Sequence, residues 1–335
     1  MKHKIIVTGG LGFIGSHTVV CLHEAGFEPI IIDNLSNSEA SAMDGIEKLI
    51  GYKPIWANID VNDKAALGSL IKEHQPQGVI HFAAFKAVGE SVEKPLTYYR
   101  NNVGGLITLM EVLKEENIDN LVFSSSCTVY GEPDEIPVKE STQTKMAESP
   151  YGATKQMGEI ILKDNANWLN TQCLRYFNPI GAHESGFIGE LPLGVPNNLI
   201  PYLTQTVAGI RKELTVFGDD YNTTDGTCIR DYIHVMDLAE AHVFAINRLI
   251  NGEQKEPFEV FNIGTGNGSS VLEVIQAFEK ANGIPVPHKI GPRRAGDVVQ
   301  VWAETTKVEH VLGWKAKRTL ETMLKDAWNW QTKLS

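Results

Sequence analysis

Tyr151 and Lys155 set a phenol and an ammonium four residues apart, so a helix over this stretch projects both from one face. A phenol beside a fixed cation can take a proton from an alcohol or sugar hydroxyl and give it back. Among the nine tyrosines, only Tyr151 has a lysine four residues after it. Ser149-Pro150 just before it supplies an N-cap hydroxyl and a proline suited to the first helical position. Upstream, Leu121-Val122-Phe123 reads as a buried strand opening onto Ser124, Ser125 and Ser126. A hydroxyl from Ser126 at that strand end completes a candidate catalytic trio with Tyr151 and Lys155. Ionising a phenol near neutrality takes about three pKa units, or ~4 kcal/mol. One cation at ~5 Å contributes ~3 kcal/mol at an effective dielectric of about 20, and burial opposes it. Lys155 alone falls short, and a second cationic group nearby would have to supply the remaining positive charge.

The N-terminus offers a site for such a group. Lys4–Thr8 reads as a strand, followed by Gly9, Gly12 and Gly15 and then an apolar-periodic helix to about Ala25. The glycine spacing is 3-3 rather than the 2-3 of the dehydrogenase fingerprint. The physical roles still fit: a tight turn, close backbone approach to a pyrophosphate, and close helix–strand packing. A second strand, Pro29–Ile32, ends at Asp33, whose carboxylate suits a ribose 2′-hydroxyl and repels a 2′-phosphate. Ser36-Asn37-Ser38 brings no arginine for such a phosphate, so the expected cofactor is NAD rather than NADP.

These residues need a scaffold, and strand and helix patterns alternate from the start to about residue 177. Strands near Lys53–Ala57, Val79–Phe82, Leu121–Ser126 and Cys173–Phe177 alternate with helices from Asp63, over Ser91–Glu116, and at Tyr151. The expected fold class is α/β, a Rossmann-like doubly wound parallel sheet with ligands at the carboxyl ends of its strands. Phe82 to Lys86, Ser124 to Ser126 and Asn178 fall at such ends. Beyond Phe177 a Gly/Pro-rich stretch marks a domain passage, and shorter elements follow: strands at 214–217, 232–235 and 258–263, helices at 199–210, 237–249, 271–281 and 320–330. These read as a smaller mixed α/β lobe, with parts near 230–262 open to rejoining the sheet.

The 335 residues carry a net charge of −11 and a pI near 5.4, which argues against general affinity for nucleic acid or anionic membrane. Cys21, Cys127, Cys173 and Cys228 show no paired spacing, which suits a reducing cytosol. Cys127 reads as a packing residue rather than a nucleophile. The sequence runs straight into its first strand without a signal-peptide pattern, and no run of about 18 apolar residues could span a membrane. The expected location is the cytoplasm. Ten histidines show no metal-ligand spacing, no metal is expected, and His81 reads as a buried strand residue.

With the glycine turn, Asp33, Ser126 and Tyr151/Lys155 in place, the chain resembles the extended short-chain dehydrogenase/reductases, and within them the UDP-hexose 4-epimerases. The stretches Thr8–His17, Lys86–Ser91, Ser124–Gly131, Arg175–His183 and Arg230–Val235 carry the likeness, which runs to about Trp314. The resemblance implies cofactor contacts from Gly9, Gly12, Phe13, Ile14 and Gly15 at the pyrophosphate turn. Asp33, Asn34, Leu35, Ser36, Asn37 and Ser38 would surround the adenosine ribose, with Asp60 and Val61 near the adenine. Phe82, Ala83, Ala84, Lys86, Asn101 and Phe177 would line the rest, with Ser126, Tyr151 and Lys155 at the reacting end. For a UDP-sugar it implies Lys86, Ser126, Tyr151, Asn178, Asn198, Leu199, Thr215, Phe217, Arg230, Arg294, Asp297 and Val301. It further implies an NAD-binding domain over 1–177, a UDP-sugar domain over 178–335, and a homodimer pairing the Ser91–Glu116 and Tyr151 helices.

The implied activity is interconversion of UDP-galactose and UDP-glucose through a transient 4-keto sugar. Relatives confined to that pair carry a tyrosine before the tryptophan that ends the Gly-Asp run, where this chain has Val301 before Trp302. The smaller side chain suggests room for a 2-acetamido group, hence acceptance of UDP-N-acetyl sugars too, unless neighbouring side chains fill the gap. Two other readings compete. A 4,6-dehydratase would need an Asp-Glu pair directly after the catalytic hydroxyl residue, and here those positions are Cys127 and Thr128. A non-catalytic NAD sensor would have no need of Ser126, Tyr151 and Lys155 together.

Overall fold

Ile5–Val7, Ile30–Ile32 and Val79–Ile80 are unbroken apolar runs, the pattern of strands covered on both faces, and all are fully buried. The computed structural model describes residues 2–294 and 296–334. Its first half alternates β1 (Lys4–Thr8), α1 (Phe13–Glu24), β2 (Glu28–Ile32), α2 (Ser41–Ile50), β3 (Ile55–Ala57), α3 (Lys64–His74) and β4 (Gly78–His81). Then come α4 (Val88–Glu93), α5 (Pro95–Tyr98), a π-helical segment Tyr99–Gly104, α6 (Gly105–Glu115), β5 (Asn120–Ser126), α7 (Pro150–Asp164) and β6 (Asn170–Tyr176). The second half holds β7 (Asn178–Ile180), α8 (Leu199–Val207), β8 (Leu214–Phe217), β9 (Ile229–Arg230), β10 (Tyr232–His234), α9 (Val235–Ile250) and β11 (Phe258–Ile263). It ends with β12 (Ser269–Ser270), α10 (Val271–Asn282), β13 (His288–Gly291), β14 (Gln300–Val301) and α11 (Leu320–Lys333).

Seven strands form one sheet in the order β11-β6-β5-β4-β1-β2-β3, and every pairing in it is parallel. The order reverses at β1/β4, so a crevice opens there at the carboxyl ends of the strands. On one face Val19 and Leu22 of α1 pack with Ile246 and Leu249 of α9. On the other, Leu67 and Ile71 of α3 meet Leu106, Leu109 and Leu113 of α6. The last sheet strand, β11, comes from the second half of the chain, whereas β9 and β10 pair in two smaller sheets outside it. A separate apolar cluster joins α8, α10 and α11 around Leu203, Phe278 and Leu324.

Two expectations need correction. The helix read as continuous over Ser91–Glu116 is broken: Pro95 disfavours helical backbone at the residue before it, and Lys94 sits at φ −128°, ψ 54°. Helix then resumes through a π segment that carries Asn101 and Asn102. The helix α2 escaped the sequence reading, although Met43, Ile46 and Ile50 form its buried stripe and Gly51 ends it in the left-handed conformation.

Candidate active site

The catalytic helix begins as its sequence dictates. Ser149 Oγ accepts the Gly152 N–H at 3.2 Å and Pro150 occupies the first turn. Tyr151 and Lys155 therefore emerge on the sheet side of α7, both buried. Lys155 Nζ donates to the Ser124 carbonyl at 2.6 Å and lies 5.9 Å from the centre of the Tyr151 ring. The strand runs on through Ser126, whose hydroxyl accepts the Thr128 N–H at 3.2 Å and lowers the proton affinity of the Tyr151 phenol. Burial pushes the phenol well above its ordinary value, the nearby Tyr176 phenol adds to that rise, and Ser126 opposes it. Burial also pushes Lys155 down to about 8, against Cys173 and Glu159. Desolvation thus dominates at both groups in the protein alone.

The cleft facing these groups starts at the glycine turn. Gly9 has φ +70°, and a Cβ there would lie 2.9 Å from Ala83 N. A Cβ on Gly15 would lie 2.2 Å from Gly9 O, so helix α1 can sit this close to the turn only with glycine there. Gly12 is the N-cap of α1 and brings no capping side chain, which leaves the first-turn amides facing the cleft to an anion. Asp33 is buried at the end of β2, where its carboxylate accepts Leu11 N–H (3.0 Å), Leu35 N–H (2.9 Å) and the Ser38 hydroxyl (2.6 Å). His81 lies in the strand, its Nδ1 2.7 Å from Thr8 Oγ1, which also accepts Ala83 N–H at 3.3 Å.

Most residues expected to meet a dinucleotide line this one cleft: Gly9, Gly12, Phe13, Ile14 and Gly15; Asp33, Asn34, Ser36, Asn37 and Ser38; Asp60 and Val61; Phe82, Ala83, Ala84, Lys86 and Asn101. Tyr151 and Lys155 close its inner end. Leu35 stands beside it at φ +60°. Phe177 is buried in an apolar cluster with Tyr130 and Val301. Of the residues expected at a UDP-sugar, Lys86 and Asn198 reach the cleft wall with Tyr151, and Leu199 starts α8. The others gather beyond it. Asp297 takes a two-point bond from Arg294 (2.7 and 3.1 Å) and stands 3.7 Å from Arg230, while Arg294 lies over the Phe217 ring at 5.6 Å. Thr215 shares strand β8 with Phe217, Val301 is the register partner of Arg230, and Asn178 that of Tyr232.

Three cleft features escaped the sequence reading. Glu190 reaches in from the Gly/Pro-rich passage, pairing with Lys86 Nζ at 3.1 Å and accepting Asn198 Nδ2 at 2.9 Å. Its backbone carbonyl accepts the Trp330 indole N–H at 2.9 Å, which pins the segment to α11. Asn102, exposed to the interior by the π segment, accepts Phe85 N–H (2.9 Å) and donates to Phe85 O (3.0 Å) and Thr154 Oγ1 (3.1 Å), bracing the cleft wall against α7. Only the Asn101-Asn102 pair in a helical run hinted at this. Burial pushes the Cys127 thiol up to about 12, which disfavours the thiolate. Among the described residues, no group of side chains could hold a metal, and no helix is long and apolar enough to cross a membrane.

A doubly wound sheet whose glycine turn shares one cleft with a buried Tyr/Lys pair, beside a smaller second lobe, fits the extended short-chain dehydrogenase/reductase class. The family model described as GDP-mannose 4,6 dehydratase matches residues 6–327. UDP-glucose 4-epimerase 2 of Arabidopsis thaliana is 50% identical, over 98% of this chain and 95% of its own. The structure of UDP-glucose-4-epimerase from Stenotrophomonas maltophila, with bound NAD and formylated UDP-arabinopyranose, superposes with TM-score 0.96 at 46% identity, covering 99% and 98%. That of the UDP-Glc/GlcNAc 4-epimerase of Campylobacter jejuni does so with TM-score 0.84 at 34% identity, covering 99% of each chain. The chain belongs to the UDP-glucose 4-epimerase family.

Proposed function

We propose that this protein is an NAD-dependent UDP-glucose 4-epimerase, an isomerase that interconverts UDP-galactose and UDP-glucose. The buried Ser126–Tyr151–Lys155 cluster at the inner end of the glycine-turn cleft carries this reading. A sugar C4–H is not acidic enough for direct proton removal, so inversion requires oxidation and re-reduction at that carbon. When bound, NAD supplies the acceptor and donor of the C4 hydrogen. Its fit to the cleft rests on the turn's missing Cβ atoms, the uncapped start of α1 and the Asp33 carboxylate facing a ribose.

Tyr151 takes the C4 hydroxyl proton, Ser126 orients that hydroxyl, and Lys155 holds positive charge beside the phenolate. Before the hydrogen returns, the hexose must present its other face, so the protein has to grip UDP firmly and the sugar loosely. Arg230 and Arg294, forked cations already aligned by Asp297, suit the diphosphate. Asn178, Asn198, Leu199, Thr215 and Phe217 suit the nucleotide. The remaining cleft residues expected at NAD take the roles given above, including Lys86, which Glu190 holds between the two ligands. Residues 1–177 then form the NAD-binding domain and 178–335 the UDP-sugar domain, with β11 contributed back to the sheet. The side chains of Val88, Val92 and Leu96 on α4 and α5, Ile107 on α6, and Met157 and Ile160 on α7 are exposed and apolar, which supports a homodimer through these helices. Four unpaired cysteines fit a reducing cytoplasm.

Replacing Tyr151 by Phe removes the proton acceptor and keeps the ring. Conversion of UDP-galactose is expected to fall by ~10²–10⁴-fold with the NAD content of the purified protein unchanged. Turnover within threefold of the parent would remove Tyr151 from the chemistry.

A further inference from the structure

Beneath the reacting groups lies a buried ion pair that the chemistry itself does not use. Glu159 stands one helical turn after Lys155 on α7, and Arg175 lies on β6, the strand beside β5. Arg175 Nε and one terminal nitrogen grip both Glu159 carboxylate oxygens, at 2.9 and 2.6 Å. The Ser125 hydroxyl donates to the same carboxylate at 2.6 Å. The other terminal nitrogen of Arg175 donates to the Tyr130 hydroxyl at 3.0 Å, and that hydroxyl donates to Asn262 Oδ1 on β11 at 2.6 Å. Both ionised side chains are buried.

Two successive residues of β5 are therefore fastened to two successive turns of α7. Lys155 holds the Ser124 carbonyl and Glu159 holds the Ser125 hydroxyl, and the next residue along the strand is Ser126. Removing two charges from water is costly, and a well-packed apolar pair in such a place often leaves a fold as stable or more so. Stability is thus a weak explanation for the pair, and its bonding pattern points to position. The charged and titratable groups facing Lys155 are Glu159 and Tyr151 on its own helix, Cys173 on β6 and His81 on β4. Of these, Glu159 alone is a carboxyl group, and Arg175 grips both of its oxygens.

We propose that Glu159, locked by Arg175, is a positioning residue for the epimerisation: it sets the register of Ser126 against Tyr151 and keeps Lys155 charged. The inference rests on the reading of Ser126, Tyr151 and Lys155 as the reacting groups. Its effect should appear in kcat and its pH profile rather than in substrate affinity, because the UDP-facing residues lie on other elements.

The test uses the NAD-loaded enzyme, two variants and UDP-galactose. Glu159→Gln keeps the shape and one accepting oxygen, loses one of the two Arg175 bonds, and leaves Arg175 as an unpaired cation. Both changes favour loss of the Lys155 proton, so the alkaline limb of kcat is expected to move to lower pH by at least half a unit. The apolar double replacement Glu159→Leu with Arg175→Met leaves no unpaired charge and is expected to fold. Its kcat should fall at least tenfold, with KM within threefold of the parent. Glu159→Asp should recover part of the rate. A folded double variant with the parent's kcat, or an unshifted alkaline limb in Glu159→Gln, would overturn the proposal. Tyr151→Phe run alongside separates the two levels: if it stays active, the assignment of the reacting groups fails instead.

Discussion

Val301 shows how one side chain can decide substrate range. It is buried among Val129, Tyr130, Val138, Phe177 and Ala303, and its register partner Arg230 stands in the expected diphosphate site. A tyrosine at this position would project a ring from the β14 backbone toward the sugar side. On the proposed reading, valine in that place would leave the volume of the ring to an acetamido group. The protein is expected to convert UDP-N-acetylgalactosamine as well as UDP-galactose, and Val301→Tyr to lower the first rate at least tenfold relative to the second. Equal loss on both substrates, or no conversion of the N-acetylated sugar by the parent, would show that neighbours already fill the space. Tyr151, Lys155 and Ser126 could be picked out in the sequence because helix spacing, an N-cap serine and a strand end are local signals. Glu190 could not, since it acts from a Gly/Pro-rich loop whose path is set by Trp330, 140 residues further on.

Helices α4 to α7 do two jobs at once. Their inner faces carry Asn102, Tyr151, Lys155 and Glu159, while Leu96 and Ile160 stand outward, 77% and 60% exposed. An apolar patch of this kind on a net-acidic protein calls for a cover, and a second copy presents the same patch. The double variant Leu96→Glu/Ile160→Glu is expected to sediment as a 36.9 kDa monomer, with the parent at twice that mass. A monomeric parent would refute the pairing. The same helices mark where local pattern reading fails. Apolar periodicity over Ser91–Glu116 suggested one helix, but Pro95 breaks it and the π segment rotates Asn101 and Asn102 relative to a regular helix. The amphipathic stripe of α2, by contrast, was legible and overlooked.

At the scale of the molecule, the sheet alternation up to β6 and the strand at 258–263 were readable, whereas the place of that strand beside β6 was left open. β11 pairs with a strand more than 80 residues earlier in the chain, a long-range choice that no local pattern encodes. The resulting core buries three histidines with low proton affinity: burial pushes His17 and His81 down to about 3 and His242 to about 4. An unfolded histidine titrates near 6.5. Below that pH the unfolded chain binds protons that the fold excludes, so this stability is intact above about pH 6.5 and drains as pH falls toward 4. Each such group removes up to ~1.4 kcal/mol per pH unit. Glu140 and Asp231, raised by burial, act in the opposite sense, but the histidines outnumber them in the window from 6.5 to 5. The urea midpoint is expected to drop markedly between pH 7 and pH 5, and an unchanged midpoint would contradict the burial of these rings in the neutral form.

The account stands on inversion at C4 by removal and return of the same hydrogen within the cleft. UDP-galactose deuterated at C4, incubated with the protein in ordinary water and followed by NMR, tests this directly. UDP-glucose carrying its deuterium at C4, with no net change in NADH absorbance, is the expected result. Deuterium lost to solvent as the product forms would mean that a base removes the C4 proton, and the proposed roles of the cleft and of Tyr151 would both be wrong.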